Sequence, residues 1–155
     1  NKLPELTADV KGIILSGSPA SVRDADAPKV DIEKLTNFKP VLGVCYGAQL
    51  MAQTFGGSVE KSNTREYGRA NLSFVDNKNE LFKTISQNTQ VWMSHGDSIK
   101  KVPDNYEVIA STHDVKYAGY KVKDEKTWAI QFHPEVYHTT EGHQLLKNFV
   151  YGTSI

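Results

Sequence analysis

The stretch Pro40-Val41-Leu42-Gly43-Val44-Cys45-Tyr46-Gly47-Ala48-Gln49-Leu50 decides how this chain is read. Its first half is an apolar run of the length of a short buried strand. After Gly47 the periodicity becomes helical: Ala48, Met51, Ala52 and Phe55 recur at i, i+3, i+4 and i+7, the stripe of a helix laid against a sheet. Gly56-Gly57 then supplies a helix stop. Between strand and helix stands Cys45, the only cysteine, framed as Gly-x-Cys-x-Gly. A sharp strand-to-helix turn of this kind lifts a reactive side chain clear of the backbone. Small neighbours suit such a crowded turn. The unpaired N–H groups at the helix start are expected to favour the thiolate. A lone cysteine is more often an inert buried thiol, so the reading depends on what the rest of the chain brings to Cys45.

Upstream, Lys11-Gly12-Ile13-Ile14-Leu15 reads as another short buried strand, stopped by Ser16-Gly17-Ser18-Pro19. In open α/β sheets ligands bind beyond the carboxyl ends of strands, which makes that turn a candidate partner for Cys45. A short helix is expected around Ile32 to Leu35. Downstream, residues 58–75 suggest a strand, a loop at Tyr67-Gly68 and a second strand from Asn71. Leu81, Phe82 and Ile85 suit a short helix, and Gln90 to Ser94 reads as a strand ending in His95-Gly96-Asp97. Strands follow at 106–111, 117–122 and 128–132; those around 106–122 alternate apolar with polar residues and are expected to be antiparallel. A last helix, 141–150, is expected to be capped by Thr139 or Thr140 and buried through Leu145, Leu146, Phe149 and Val150.

Composition limits the function. The 155 residues suit one domain, with 39% hydrophobic and 23% charged residues. Eighteen basic residues balance eighteen acidic ones, so the strong positive surface of a nucleic-acid binder is missing. No apolar run approaches the ~20 residues that span a bilayer. One cysteine cannot form an internal disulfide, which fits the reducing cytoplasm. No phosphate-binding Gly-x-x-x-x-Gly-Lys motif occurs, and no zinc-type spacing of Cys and His, so no metal is expected.

A thiol nucleophile needs a base, and the base needs an orienting group. Of the five histidines, His133 is favoured because it follows a buried strand and has Glu135 two residues on, on the same side of an extended segment stiffened by Pro134. His95 is the competing base. Surface His–Glu pairs are common and mostly inert, so spacing alone leaves the choice open.

Four blocks in order carry a resemblance that covers nearly the whole chain: Gly12 to Gly17, Pro40 to Met51, Trp92 to Asp97, and Gln131 to Glu135. Together they resemble the class I, triad-type glutamine amidotransferases. Within the family, Cys45-Tyr46-Gly47, Met93-Ser94-His95-Gly96-Asp97 and Phe132-His133-Pro134-Glu135-Val136 look most like the GMP-synthase branch.

The resemblance implies a flavodoxin-like α/β fold: an open, mostly parallel sheet with helices on both faces and some antiparallel strands. It implies that Cys45 attacks the side-chain amide of glutamine and passes through a thioester, with His133 as acid–base partner and Glu135 orienting it. Backbone N–H groups of Tyr46, Gly17 and Ser18 would hold the oxyanion. Gln49, Ser94, His95, Gly96 and Asp97 would recognise the substrate, Asp97 taking its ammonium. Ammonia would pass to an ATP-pyrophosphatase (synthetase) domain, of the same polypeptide or a separate subunit, that converts XMP to GMP; ATP and Mg would belong there, with no cofactor in this domain.

Two departures from the family pattern stand out. Many relatives have Gly-Gly-Pro where this chain has Gly17-Ser18-Pro19, and a positive φ at Ser18 would be strained. The family's opening strand and helix, with an Asp-Phe-Gly-Ser-Gln-like motif, are not found, nor is an initiator Met. Residues 1–155 are therefore expected to be an N-terminally incomplete glutaminase domain without its synthetase domain. Another amidotransferase glutaminase, a γ-glutamyl hydrolase-like cysteine hydrolase and a catalytically silent regulatory module of the same fold are the alternatives. The Trp92–Asp97 block speaks against the hydrolase, and the intact Cys45, His133 and Glu135 against the silent module.

Overall fold

A computed structural model describes residues 3–153. Among the described residues seven strands form one sheet: β1 (Ile13–Leu15), β2 (Val41–Val44), β3 (Ser58–Val75), β4 (Gln90–Lys101), β5 (Tyr106–Thr112), β6 (Gly119–Val122) and β7 (Thr127–Ile130). Their spatial order is β1-β2-β7-β6-β5-β3-β4. Helices α1 (Ile32–Phe38), α2 (Tyr46–Thr54) and α3 (Gly142–Lys147) complete the α/β architecture.

Strand β2 is the anchor. All four of its residues are buried, and alternate side chains enter different cores. Val41 lies with Ala129, Tyr120, and Ile32, Leu35, Ala48 and Met51 of α1 and α2. Leu42 and Val44 lie with Trp128, Ile130, Leu81, Phe82, Leu145 and Phe149. Helices therefore cover both faces, as expected. Each large side chain buried this fully contributes about 1.5–3 kcal/mol, which is why the elbow after β2 has rigid support.

The balance of the sheet differs from the expected mostly parallel one. Parallel pairing is confined to β1 with β2 and β2 with β7. The four other neighbouring pairs among the described strands are antiparallel. The reason lies in the middle of the chain, where β5 and β6 follow each other through a short link and β3 reaches across to two partners. Residues 58–75 form one continuous strand rather than two around a loop; its first part pairs with β4 and its last residues with β5. Gly68 takes φ 111 within it, a backbone angle open to glycine, and the ladder to β4 runs through it in unbroken register.

Further differences are local. Strand β1 is an edge strand among the described residues, and Ile14 is 46% exposed rather than buried. The 79–87 segment makes turns, not a helix, although Leu81, Phe82 and Ile85 are buried as the periodicity predicts. Strand β4 runs on to Lys101, so 94–97 lies within a strand instead of after one. Helix α3 has Glu141 at its N-cap with no side-chain cap, and continues into a wider π-type turn, Asn148–Thr153; Val150 is exposed. Thr139 bonds the backbone of Trp92 and His133 instead of capping this helix.

Candidate active site

Cys45 sits at the strand-to-helix junction with φ 51 and ψ −102. A non-glycine residue held there stores roughly 1–3 kcal/mol of strain, and it persists because both sides are fastened. The Cys45 N–H donates to Ile130 O at 2.8 Å, extending the β2–β7 ladder, while its carbonyl accepts from Gln49 N–H at 3.1 Å and starts α2. The flanking glycines are there for close approach. A Cβ on Gly43 would lie 2.7 Å from Met51 Sδ and 2.9 Å from the Gly47 carbonyl carbon; one on Gly47 would lie 2.5 Å from Leu15 O. The expected elbow is present, with the unusual backbone angle at Cys45 itself.

His133 follows β7 and is clipped to β4. Its N–H donates to Trp92 O at 3.0 Å, and its carbonyl accepts from Thr139 Oγ1. The same Thr139 oxygen accepts from Trp92 N–H at 3.0 Å. Thr139 thus holds the histidine segment instead of capping α3. A Cβ on Gly142 would lie 2.0 Å from Pro134 O, so the start of α3 packs directly beneath this segment. His133 Nδ1 lies 2.7 Å from Glu135 Oε1. A carboxylate only accepts, so Nδ1 carries the hydrogen and Nε2 is left as the basic nitrogen.

Gly17 brings the two together. A Cβ there would stand 3.1 Å from His133 Cε1 and 3.9 Å from Cys45 Cβ, so the nucleophile and base candidates flank one bare backbone position. Ser18 does not have a positive φ, which removes the strain anticipated for Gly17-Ser18-Pro19. Its hydroxyl accepts from Ala20 N–H at 3.2 Å.

The thiol's resting state differs from expectation. Burial pushes the Cys45 pKa up to about 11, with the Glu135 charge adding to the rise; the Tyr46 N–H and the Gln131 side chain act in the opposite direction without prevailing. The helix start lowers the cost of the anion, but desolvation wins. Cys45 rests as a neutral thiol, 3.6 Å from Ser94 O. His95 is buried, and that burial, followed by repulsion from His133, holds its imidazole below the usual basicity. Its Nδ1 contacts Asp97 O at 2.6 Å. His95 is thus tied into the wall of the site, which favours His133 over it as the base.

Every sequence-predicted site residue reaches one open cleft of about 1110 Å³: Gly17, Ser18, Cys45, Tyr46, Gln49, Ser94, His95, Gly96, Asp97, His133 and Glu135. That is slightly above the usual range of about 300–1,000 Å³ for small-molecule sites. Gln49 enters it less directly than expected. It is only 4% exposed, and its Nε2 donates to Asp97 O at 3.2 Å and Gln131 Oε1 at 3.3 Å. Gln49 and His95 together grip the Asp97 carbonyl.

The Asp97 side chain is also engaged: Oδ2 accepts from Ser21 Oγ, and Oδ1 lies 3.7 Å from Arg23 Nη1. Sequence reasoning misses Ser21 and Arg23, because the polar 20–39 segment has no periodicity to place it. Gln131 shows in the sequence only as part of a motif; its position two residues before His133 is the signal that it shares the same side. Among the described residues no group of three or more His, Cys, Asp or Glu side chains is arranged to hold a metal, and no helix is long and apolar enough to cross a membrane.

The profile of the family described as "Glutamine amidotransferase class-I" matches residues 1–153. The chain belongs to that family. This amidotransferase is 54% identical over 150 residues to a GMP synthase (glutamine-hydrolyzing) of Phocaeicola vulgatus, covering 97% of the chain and 29% of the relative. It is 55% identical to GMP synthase (glutamine-hydrolyzing) 1 of Bacteroides thetaiotaomicron, with 97% and 30% covered. The amidotransferase chain thus spans under a third of the length of these curated relatives. Among solved structures, a Thermoplasma acidophilum protein, provisionally described as part of a GMP synthase, is 30% identical, with TM-score 0.75 over 92% of this chain and 72% of that one. A glutamine amidotransferase from Thermotoga maritima shares the fold at TM-score 0.72, 23% identity, and 97% and 65% coverage.

Proposed function

We propose that this chain is the glutaminase of a GMP-forming enzyme, hydrolysing L-glutamine to glutamate and ammonia through a thioester on Cys45. The observation that carries the reading is the strained Cys45 facing His133 across Gly17, with Glu135 2.7 Å from the far side of the imidazole.

Because the thiol rests neutral, its proton must leave as it attacks. His133 Nε2 takes that proton while the Cys45 sulfur bonds to the amide carbon of glutamine, and the amide oxygen becomes an oxyanion. The Tyr46 N–H, already against the sulfur, and the backbone N–H groups of Gly17 and Ser18 are the proposed donors to that oxyanion; one such donor is worth about 3–4 kcal/mol of barrier. The C–N bond then breaks, and His133 returns the proton to the departing ammonia, leaving the glutamyl thioester. His133 next takes a proton from water as its oxygen attacks the thioester carbon. The C–S bond breaks, the proton returns to sulfur, and glutamate leaves. Glu135 holds one tautomer throughout and supports the transient imidazolium. Ser94, Gly96 and Asp97 receive the amino-acid end, with Gln49 and His95 fixing Asp97.

Ammonia would be consumed by an ATP-pyrophosphatase domain, in the same polypeptide or another one, where ATP and Mg activate XMP. This placement in the cytoplasmic purine route rests on the likeness to GMP synthases over this part of their length. In the full-length protein, a chloroketone analogue of glutamine is expected to alkylate Cys45, with glutamine protecting it, as read by peptide mass spectrometry. GMP is expected from XMP, ATP and glutamine. An unlabelled Cys45 in folded protein overturns the glutaminase; labelling without GMP formation overturns the branch alone.

A further inference from the structure

We infer that Arg23 is a specificity residue that binds the α-carboxylate of the amide substrate, forming with Asp97 a two-charge reader of a zwitterionic amino-acid end. This rests on the glutaminase reading above and adds to it a residue outside the motif blocks.

Asp97 is held from behind, since its carbonyl is gripped by Gln49 Nε2 and His95 Nδ1. Its carboxylate faces the cleft with only 11% of the side chain exposed, whereas Arg23 is 47% exposed. The two meet loosely, at 3.7 Å between Nη1 and Oδ1. Such a half-exposed pair adds little to stability. A guanidinium has five N–H donors in a planar fork that suits a carboxylate, so one distant contact with Asp97 leaves most of the fork available.

The spacing fits the ligand. Standard bond lengths place the ammonium nitrogen and a carboxylate oxygen on one α-carbon about 3 Å apart, close to the Arg23–Asp97 separation. A small turn aims the stem of Arg23: its N–H donates to Ser21 Oγ at 3.2 Å, Ser21 N–H donates to Asp24 Oδ2 at 3.2 Å, and Asp24 N–H donates to Ser21 O at 3.1 Å. Ser21, which sets this turn, also donates its hydroxyl to Asp97. One residue therefore ties the cation and the anion into a single unit, at the edge of the cleft that contains Cys45. Lys61, paired with Asp97 across the β3–β4 ladder, is the other lysine or arginine lining the cleft among the described residues; it is a point charge without the fork.

Three electrophiles separate the possibilities in the full-length protein: the glutamine-like chloroketone, the same chloroketone lacking the α-carboxylate, and iodoacetamide. For Arg23→Ala, alkylation of Cys45 by the first is expected to slow at least tenfold. Alkylation by the other two should remain within about twofold, and Arg23→Lys should recover part of the loss. Four results overturn the inference: unchanged labelling by the glutamine-like reagent; faster labelling, which would make Arg23 a latch on Asp97; equal slowing for all three reagents, which would make its role structural; or transfer of the carboxylate-dependent loss to Lys61→Ala. Failure of the unsubstituted protein to react with the glutamine-like reagent, while iodoacetamide still reacts, would instead remove the glutaminase reading.

Discussion

Cys45 and Arg23 face the same cleft from turns of opposite construction. The elbow is backbone packed on backbone: Gly43 and Gly47 allow α2 to sit against β2 and β1 at distances that no side chain tolerates. The 20–24 turn is held by side chains, with Ser21, Asp24 and Asp97 exchanging polar contacts. The first construction fixes a reactive atom and tolerates strain. The second leaves a charged fork half in water, able to meet a ligand. A reaction centre needs the former because transition-state geometry is demanding, and a recognition element can use the latter.

The contrast can be broken at several points. Cys45→Ala in the full-length protein is expected to lower glutamine-supported GMP synthesis by about 10⁴-fold or more while ammonia-supported synthesis continues; loss of both would mean the elbow also supports the partner domain. With a thiol pKa of about 11, alkylation of Cys45 by iodoacetamide should rise about tenfold per unit from pH 7 to 10, because only the thiolate reacts. A rate that is flat from pH 7 upward would instead indicate a preformed thiolate–imidazolium pair.

Smaller effects lie further from the sulfur. Glu135→Gln keeps the shape but not the charge, and its carboxylate is half-exposed. Its kcat should fall by up to about a hundredfold, the low end of what a positioned acid–base group contributes, with KM unchanged; a KM effect alone would place Glu135 in binding. Gly47→Ala forces a methyl onto Leu15 O and should cost about 1–3 kcal/mol, read as a lower urea midpoint, whereas an unaltered midpoint would show that the elbow can open. Ser21→Ala removes one hydrogen bond to Asp97 and, at about 1 kcal/mol, should raise the KM for glutamine severalfold. An effect as large as that of Gly47→Ala on stability would show that the 20–24 turn is structural too.

Much of the site was legible because its parts are local. The elbow shows in one strand, one cysteine and one helical stripe, and the His133–Glu135 contact follows from i and i+2 on an extended segment. The four motif blocks then pointed to a common family. What failed to show were features set by distant partners. Leu81, Phe82 and Ile85 have helical spacing but are buried from a series of turns, because the sheet supplies the surface they need. The 94–97 segment reads as the end of a strand, yet pairing with Lys61 and its neighbours carries β4 onward to Lys101. Thr139 has the chemistry of a helix cap and instead bonds the backbone of His133 and Trp92.

The sequence by itself singled out Cys45 as the candidate nucleophile and His133 with Glu135 as its candidate base and orienting carboxylate, the motif blocks favouring what spacing alone left open. It also determined that β2 would be buried on both faces. Only the tertiary structure decided that the thiol rests protonated, because desolvation depends on everything packed around Cys45 and here exceeds the pull of the helix start. Only the tertiary structure placed Arg23 beside Asp97, 74 positions along the chain. A polar loop carries no periodicity, and its partner is chosen by where the sheet brings the opposite charge.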